Sequence, residues 1–197
     1  MGKAPDFYKG ERALFLDGGE TRAIGLPERG AKIASLYSLT FNKELLWQIP
    51  GSEYSASPVH GGTFGPEDSS GFDDMFPTIS ACGYPEPPWL GRAMPDHGEL
   101  WSLPWESHQR SASSADLSVK SRNFPFSFSK HIEVHGSILK IDYSVANHSD
   151  CFFHCLWAAH PLFVARSGMA LRVPQSCREI ITAFETTEMG PIGSRWQ

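Results

Sequence analysis

The chain has 197 residues, 41% hydrophobic and 20% charged, enough apolar material for a single domain over residues 1–197 with its own core. A formal net charge of -5, with no clustered run of Lys or Arg, excludes the electrostatic footprint of a nucleic-acid binder. The start, Met1-Gly2-Lys3-Ala4-Pro5-Asp6, lacks the apolar stretch of a secretory signal, and no later run approaches membrane-spanning length, so a cytoplasmic protein without membrane contact is expected.

Helical periodicity is scarce, and the fold class expected is all-β, an antiparallel β-sandwich. Strands are predicted in chain order at Ala13–Leu16, Thr21–Leu26, Ala31–Tyr37, Glu44–Gln48, Leu117–Ser121, Phe126–Val134, Leu139–Val145, Cys151–Ala159 and Ile180–Phe184. Between the fourth and fifth of these, residues Gly51 to Glu106 are crowded with Gly, Pro, Asp and Trp, and long ordered loops of functional character are expected there. Alternation is clearest late in the chain, where Leu139, Ile141, Tyr143 and Val145 share one face and Lys140, Asp142 and Ser144 the other. His135-Gly136-Ser137 then reads as a short hairpin connection to the preceding strand. The four cysteines, Cys82, Cys151, Cys155 and Cys177, are read as buried thiols. Cys151 and Cys155 lie four apart, which is not the spacing of a zinc knuckle.

The segment richest in chemistry contains Asp73-Asp74-Met75-Phe76-Pro77, Trp89, Asp96-His97-Gly98-Glu99-Leu100-Trp101 and Pro104-Trp105. Indole faces pack on the C–H groups of a sugar ring while carboxylates and imidazoles hydrogen-bond its hydroxyls, so this palette points to a carbohydrate pocket. The alternative is that the indoles are core plugs and the acids solvated loop charges. His160, in Trp157-Ala158-Ala159-His160-Pro161, precedes a proline and is expected extended at a strand end. Strand parity would put His154 on the same face. A cupin-like metal site, suggested by His97, Glu99 and His108, fits less well, because a second histidine two residues after the first is missing. No metal or other cofactor is expected.

Taken in order, several tags resemble one family. Leu26-Pro27-Glu28-Arg29-Gly30-Ala31-Lys32-Ile33-Ala34-Ser35-Leu36 with Lys43-Glu44-Leu45-Leu46-Trp47 looks like the start of an aldose 1-epimerase, or galactose mutarotase-like, domain. Met75-Phe76-Pro77, Asp96-His97-Gly98-Glu99 with Pro104-Trp105, Val145-Ala146-Asn147-His148-Ser149-Asp150 and Ala159-His160-Pro161-Leu162-Phe163 resemble its later landmarks. Each tag alone is weak; their order across almost the whole chain is what makes the signal.

The resemblance implies a supersandwich that binds a monosaccharide or sugar derivative and interconverts its anomers without a cofactor. His160 would be the catalytic general acid toward the ring oxygen, and His97 would contact substrate near the ring oxygen and anomeric centre. Asp74, Asp96, Glu99 and Trp101 are the further substrate-binding candidates. The sequence departs from the family in two respects. No arginine follows Phe76-Pro77, and no acid among Glu179, Glu185 and Glu188 matches the family's catalytic glutamate. The chain is therefore expected to be the N-terminal portion of such a domain, with unpaired strand edges that favour homo-oligomers. The alternative is a carbohydrate-binding domain that lacks the base.

Overall fold

The computed structural model describes residues 6–51, 53, 54, 56–170, 172–183 and 185–196. The chain divides into two compact units, one ending at Val164 and one beginning at Ala165.

In the first unit, β1 (Asp6–Tyr8), β2 (Glu11–Asp17), β3 (Thr21–Leu26) and β4 (Lys32–Ser38) form an antiparallel meander. One end of β4 pairs with the short β5 (Lys43–Glu44) and the other with β6 (Phe72–Met75). The two-residue strands β7 (Cys82–Gly83) and β8 (Ala93–Met94) pair with each other in the long connection that follows. A second sheet is built from β9 (Glu106–Gln109), β10 (Ser114–Lys120), β11 (Phe126–His135) and β12 (Ile138–Asn147), in the order β12-β11-β10-β9. The chain then returns to the first sheet as β13 (Ala158–Pro161), antiparallel to β6.

The two sheets face each other across one core. Leu14, Leu16, Ala23 and Ile33 from the first sheet meet Ala115, Leu117, Phe126, Phe128, Ile132 and Val134 from the second. Loop residues Leu46, Phe76, Tyr84, Leu100 and Trp105 close its ends. A smaller cluster, Ala13, Leu26 and Ala34 with Tyr8, Ile24 and Tyr54, lies on the opposite face of the first sheet. This segregation follows from strand alternation, with one irregularity. Gly25 pairs with Ile33 but Ile24 pairs with Ser35, so Ala34 is an extra residue in β4. The bulge leaves Ile33 on the inter-sheet side, turns Ala34 outward, and restores Leu36 to the core side. The carbonyl of Ala34 accepts a hydrogen bond from Gln48 Nε2 at 2.7 Å.

The sandwich is the expected one, and β3 has the expected limits. The β11–β12 connection is a hairpin over Gly136-Ser137, with Gly136 at φ +55. Other expectations need correction. Glu44–Gln48 supplies only β5 and an isolated bridge at Leu46 to Phe163. Cys151–Ala159 is not one strand, because regular pairing begins at Ala158. All four cysteines are free thiols but exposed rather than buried. The Gly51–Glu106 region is mostly loop, as expected, yet it contains β6, the strand on which the two lobes of buried charge described below depend.

The second unit holds the two-residue strands β14 (Ile180–Ile181) and β15 (Arg195–Trp196), paired antiparallel. Phe184, the last residue of the expected strand, lies outside the described residues. Thr182 is buried, donates to Met189 O at 2.9 Å and accepts from Trp196 Nε1 at 2.9 Å. No helix among the described residues is long and apolar enough to cross a membrane.

Candidate functional site

β6 carries two consecutive carboxylates, and the pleat sends them to opposite faces of the first sheet. Asp74 points into the inter-sheet core, where its Oδ2 accepts from Lys130 Nζ at 2.8 Å and its Oδ1 from Trp157 Nε1 at 3.3 Å. The side chains of Lys130 and Asp74 are 1% and 0% exposed, so this is a fully desolvated ion pair. Lys130 also lies 5.2 Å from the ring of Trp105. Asp74 is thus engaged with the second sheet, on the side away from His160.

Asp73 faces the other way. Its Oδ2 is in close contact with Lys32 Nζ, from the outward side of β4. Lys32 also donates to Asp68 O at 3.0 Å and Ser70 O at 2.6 Å, so all three ammonium donors are used within the fold. Burial pushes the Asp73 carboxyl above the usual carboxylate range, and Lys32 opposes that rise. Asp73 Oδ1 is buried with no hydrogen-bond partner.

Directly across from Asp73 in the β6–β13 ladder stands His160. Proline at 161 and the strand pairing hold it in the extended conformation the sequence suggested, here on the outward face. His97 approaches from the loop before the 3-10 turn Leu100–Ser102. The loop is pinned by Glu99 N to Phe76 O at 2.8 Å and His97 N to Ile79 O at 3.1 Å. Gly98, at φ +73, packs so tightly that an added Cβ would lie 2.1 Å from Phe76 O. The tight turn presents His97, itself at φ +59.

These two imidazoles, distant in sequence, come together with ring centroids 5.1 Å apart. Phe64 binds the pair: its ring stacks on His97 at 4.3 Å and 8°, and meets His160 edge-on at 5.6 Å. Trp101 completes the aromatic wall, edge-on to Phe64 at 5.2 Å, with its Nε1 donating to Asp96 O at 3.1 Å. Asp96 Oδ2 lies 3.0 Å from His97 Nδ1, but at an angle that leaves that nitrogen without a hydrogen bond. His160 Nδ1 is likewise buried and unpartnered. Burial, then the neighbouring His97 and Lys32, hold the His160 pKa below the ordinary imidazole value.

The structure therefore brings together His160, His97, Asp96 and Trp101 of the residues singled out from sequence. Glu99 sits apart from them in role. It is 0% exposed, and its carboxylate accepts from Ser121 Oγ at 3.0 Å, Arg122 N at 3.1 Å and Asn123 N at 3.4 Å, tying the loop after β10 to the 3-10 turn. Of the remaining indoles of that segment, Trp105 is buried in the inter-sheet core and Trp89 packs against it beside Tyr84 and Phe124. His154 is paired with Glu86, 3.1 Å away, and precedes the regular part of β13, so strand parity does not relate it to His160. His108 lies on β9, beside a cavity of about 580 Å³ on the outer face of the second sheet. Among the described residues no group of three or more His, Cys, Asp or Glu is placed to hold a metal ion.

Lys32, Asp73 and Phe64 were not singled out from sequence. A lysine inside the apolar run Ala31-Lys32-Ile33-Ala34 was the available signal for the first two, since a cation there requires a buried partner. Phe64 lies in a loop with no periodicity and gave no signal.

Solved structures share the antiparallel sandwich architecture. The chain matches the Slr1438 protein from Synechocystis sp. PCC 6803 with a TM-score of 0.64 and 19% identity, covering 85% of this chain and 58% of that one. It matches a galactose mutarotase related enzyme from Lactobacillus acidophilus with a TM-score of 0.60 and 18% identity, covering 81% and 51%. A galactose mutarotase-like protein from Lactobacillus casei ATCC 334 gives 0.50, 18%, 68% and 44%. The chain has the galactose mutarotase-like fold, and it spans little more than half the length of the first two structures it matches. No family model matches the sequence, and no curated protein matches it.

Proposed function

We propose that the outward face of the first sheet binds a monosaccharide or sugar derivative, and that His160 and His97 serve the interconversion of its anomers. Opening a cyclic hemiacetal requires a proton to leave the C1 hydroxyl while another reaches the ring oxygen; rotation about C1–C2 and reclosure give the other anomer. His160 is the general acid toward the ring oxygen, and His97 contacts substrate near that oxygen and the anomeric carbon. Phe64 and Trp101 supply the apolar wall that a sugar's C–H face requires. The observation that supports this most directly is the 5.1 Å approach of the two imidazoles beside Phe64. The lowered pKa of His160 makes the protonated acid a minority species at neutral pH, and that species the readier proton donor.

A second reading, sugar binding without turnover, is favoured by the state of the neighbouring carboxylates. Asp73 is held by Lys32, Asp74 by Lys130, and Glu99 by the loop after β10. Asp96, with its side chain 27% exposed beside His97, is the carboxylate of this group that remains accessible. Two-dimensional exchange NMR on equilibrating glucose and galactose, with calorimetry on the same sugars, separates the readings. Faster anomer exchange lost in His160→Gln supports the epimerase. Binding with unchanged exchange selects the binding domain, and neither effect on a broad sugar panel sinks both.

A further inference from the structure

Among the buried polar atoms on this face that lack partners, two belong to residues that the strand register puts opposite each other. His160 and Asp73 are a direct cross-strand pair, a placement that brings side chains on one face within reach of one another. His160 Nδ1 and Asp73 Oδ1 are both closed to solvent and both without a hydrogen bond. The two atoms are not in contact here, but a buried donor and a buried acceptor left open on facing residues are each unfavourable, and a side-chain rotation that pairs them removes both penalties at once. Of the other groups around His160, Lys32 has only donors and Phe64 has neither, and the competing acceptor is a ring nitrogen of neutral His97, whose Nδ1 is also buried and unpartnered. Lys32, in contact with Asp73 Oδ2, leaves Oδ1 as the free lobe of the carboxylate.

We propose that Asp73 is the positioning residue for His160, its Oδ1 accepting the hydrogen bond of Nδ1–H and so directing Nε2 to the hollow shared with His97 and Phe64. This rests on the reading of His160 as the general acid. A carboxylate on one imidazole nitrogen fixes the tautomer and ring orientation and makes the other nitrogen more basic. That compensates in part for the burial, His97 and Lys32 that oppose protonation of His160. Lys32 then acts at one remove, keeping Asp73 ionised against the burial that raises its pKa.

Long-range ¹H–¹⁵N spectra of the full chain, with the His160 signals assigned by their loss in His160→Gln, test the pairing directly. Above its titration, wild-type His160 is expected to be chiefly the Nδ1–H tautomer, and Asp73→Asn is expected to abolish that preference. In the same variant, anomer exchange should fall about tenfold or more with little change in KM, and the His160 limb of the pH profile should move to lower pH. Asp73 also holds Lys32, so the wild-type tautomer decides the matter even if Asp73→Asn does not fold. An Nε2–H ring in the wild type, or a tautomer ratio indifferent to Asp73→Asn, overturns the proposal even in a protein that accelerates exchange. An Asp73-dependent Nδ1–H ring in a protein that leaves anomer exchange unchanged keeps Asp73 as the group that orients His160, and overturns the epimerase reading instead.

Discussion

Lys130→Met isolates the ion pair of Asp74, one of the two buried carboxylates on β6. The substitution keeps an apolar side chain of similar length and removes the ammonium that Asp74 faces at 2.8 Å and that lies 5.2 Å from the Trp105 ring. Both side chains are at most 1% exposed, so water cannot replace the lost partner, and the carboxylate keeps Trp157 Nε1 at 3.3 Å and the neighbouring Tyr143 hydroxyl, both neutral groups. Breaking one side of such a pair costs about 3–5 kcal/mol. For a urea m-value of about 2 kcal/mol/M this lowers the unfolding midpoint by ~2 M at neutral pH with m unchanged. Replacing both partners, Asp74→Leu with Lys130→Met, removes the uncompensated charge and should recover all but ~1 kcal/mol of the loss. The assay is equilibrium urea unfolding of the wild type, both single variants and the double, followed by tryptophan fluorescence. A Lys130→Met cost below about 1 kcal/mol would refute the placement of a desolvated pair in the inter-sheet core.

Three further outcomes are expected. Because the folded-state pKa of His160 lies below the ordinary imidazole value of 6.5, its unprotonated form is the one the fold favours; that contribution is whole above pH 6.5 and is lost as pH falls through the folded value. Wild type should therefore lose stability faster than His160→Gln on going from pH 6.5 downward in pH-resolved thermal melts, and parallel curves would contradict the assignment. Gly98→Ala should cost more than about 1 kcal/mol, from the positive φ and the 2.1 Å approach to Phe76 O, and should weaken sugar binding by displacing His97. An ordinary melt with unchanged binding would show that the loop accommodates the methyl group. Finally, all four cysteines should react with a thiol reagent in the native protein, Cys155 most slowly at neutral pH because burial raises its pKa. Fewer than four reactive thiols before denaturation would count against their exposure.

The parts of the fold that could be read from sequence are those whose pattern is local. Leu139 to Tyr143 alternates because one face of β12 packs on the core, although Val145, expected on that face, is exposed, and Gly136 marks the tight connection to β11. β6 was hidden for the opposite reason. Phe72-Asp73-Asp74-Met75 reads as polar, and its burial depends on Lys32 and Lys130, which reach it from β4 and β11. Cys151 to Trp157 misled in the other direction, since an apolar composition suggested a paired strand. Its partner ends at Met75, and beyond that Pro77 has no N–H to extend the ladder, although its carbonyl accepts from Leu156 N at 2.8 Å. At the site, His97 and His160 were visible through the resemblance of their flanking motifs. The choice between Asp73 and Asp74 was not, because a doublet shows that both faces are served without showing which side the imidazole takes.

The extra residue at Ala34 has a consequence for reading related sequences. A chain of equal length that pairs these two strands without the bulge must exchange the polar and apolar order downstream of Ile33, placing a hydrophobic side chain where Ser35 stands and a hydrophilic one where Leu36 stands. A chain that lacks one residue at Ala34 instead keeps that order, so a one-position gap with unchanged patterning and an ungapped β4 with inverted patterning are the two marks of a shared backbone path without the bulge.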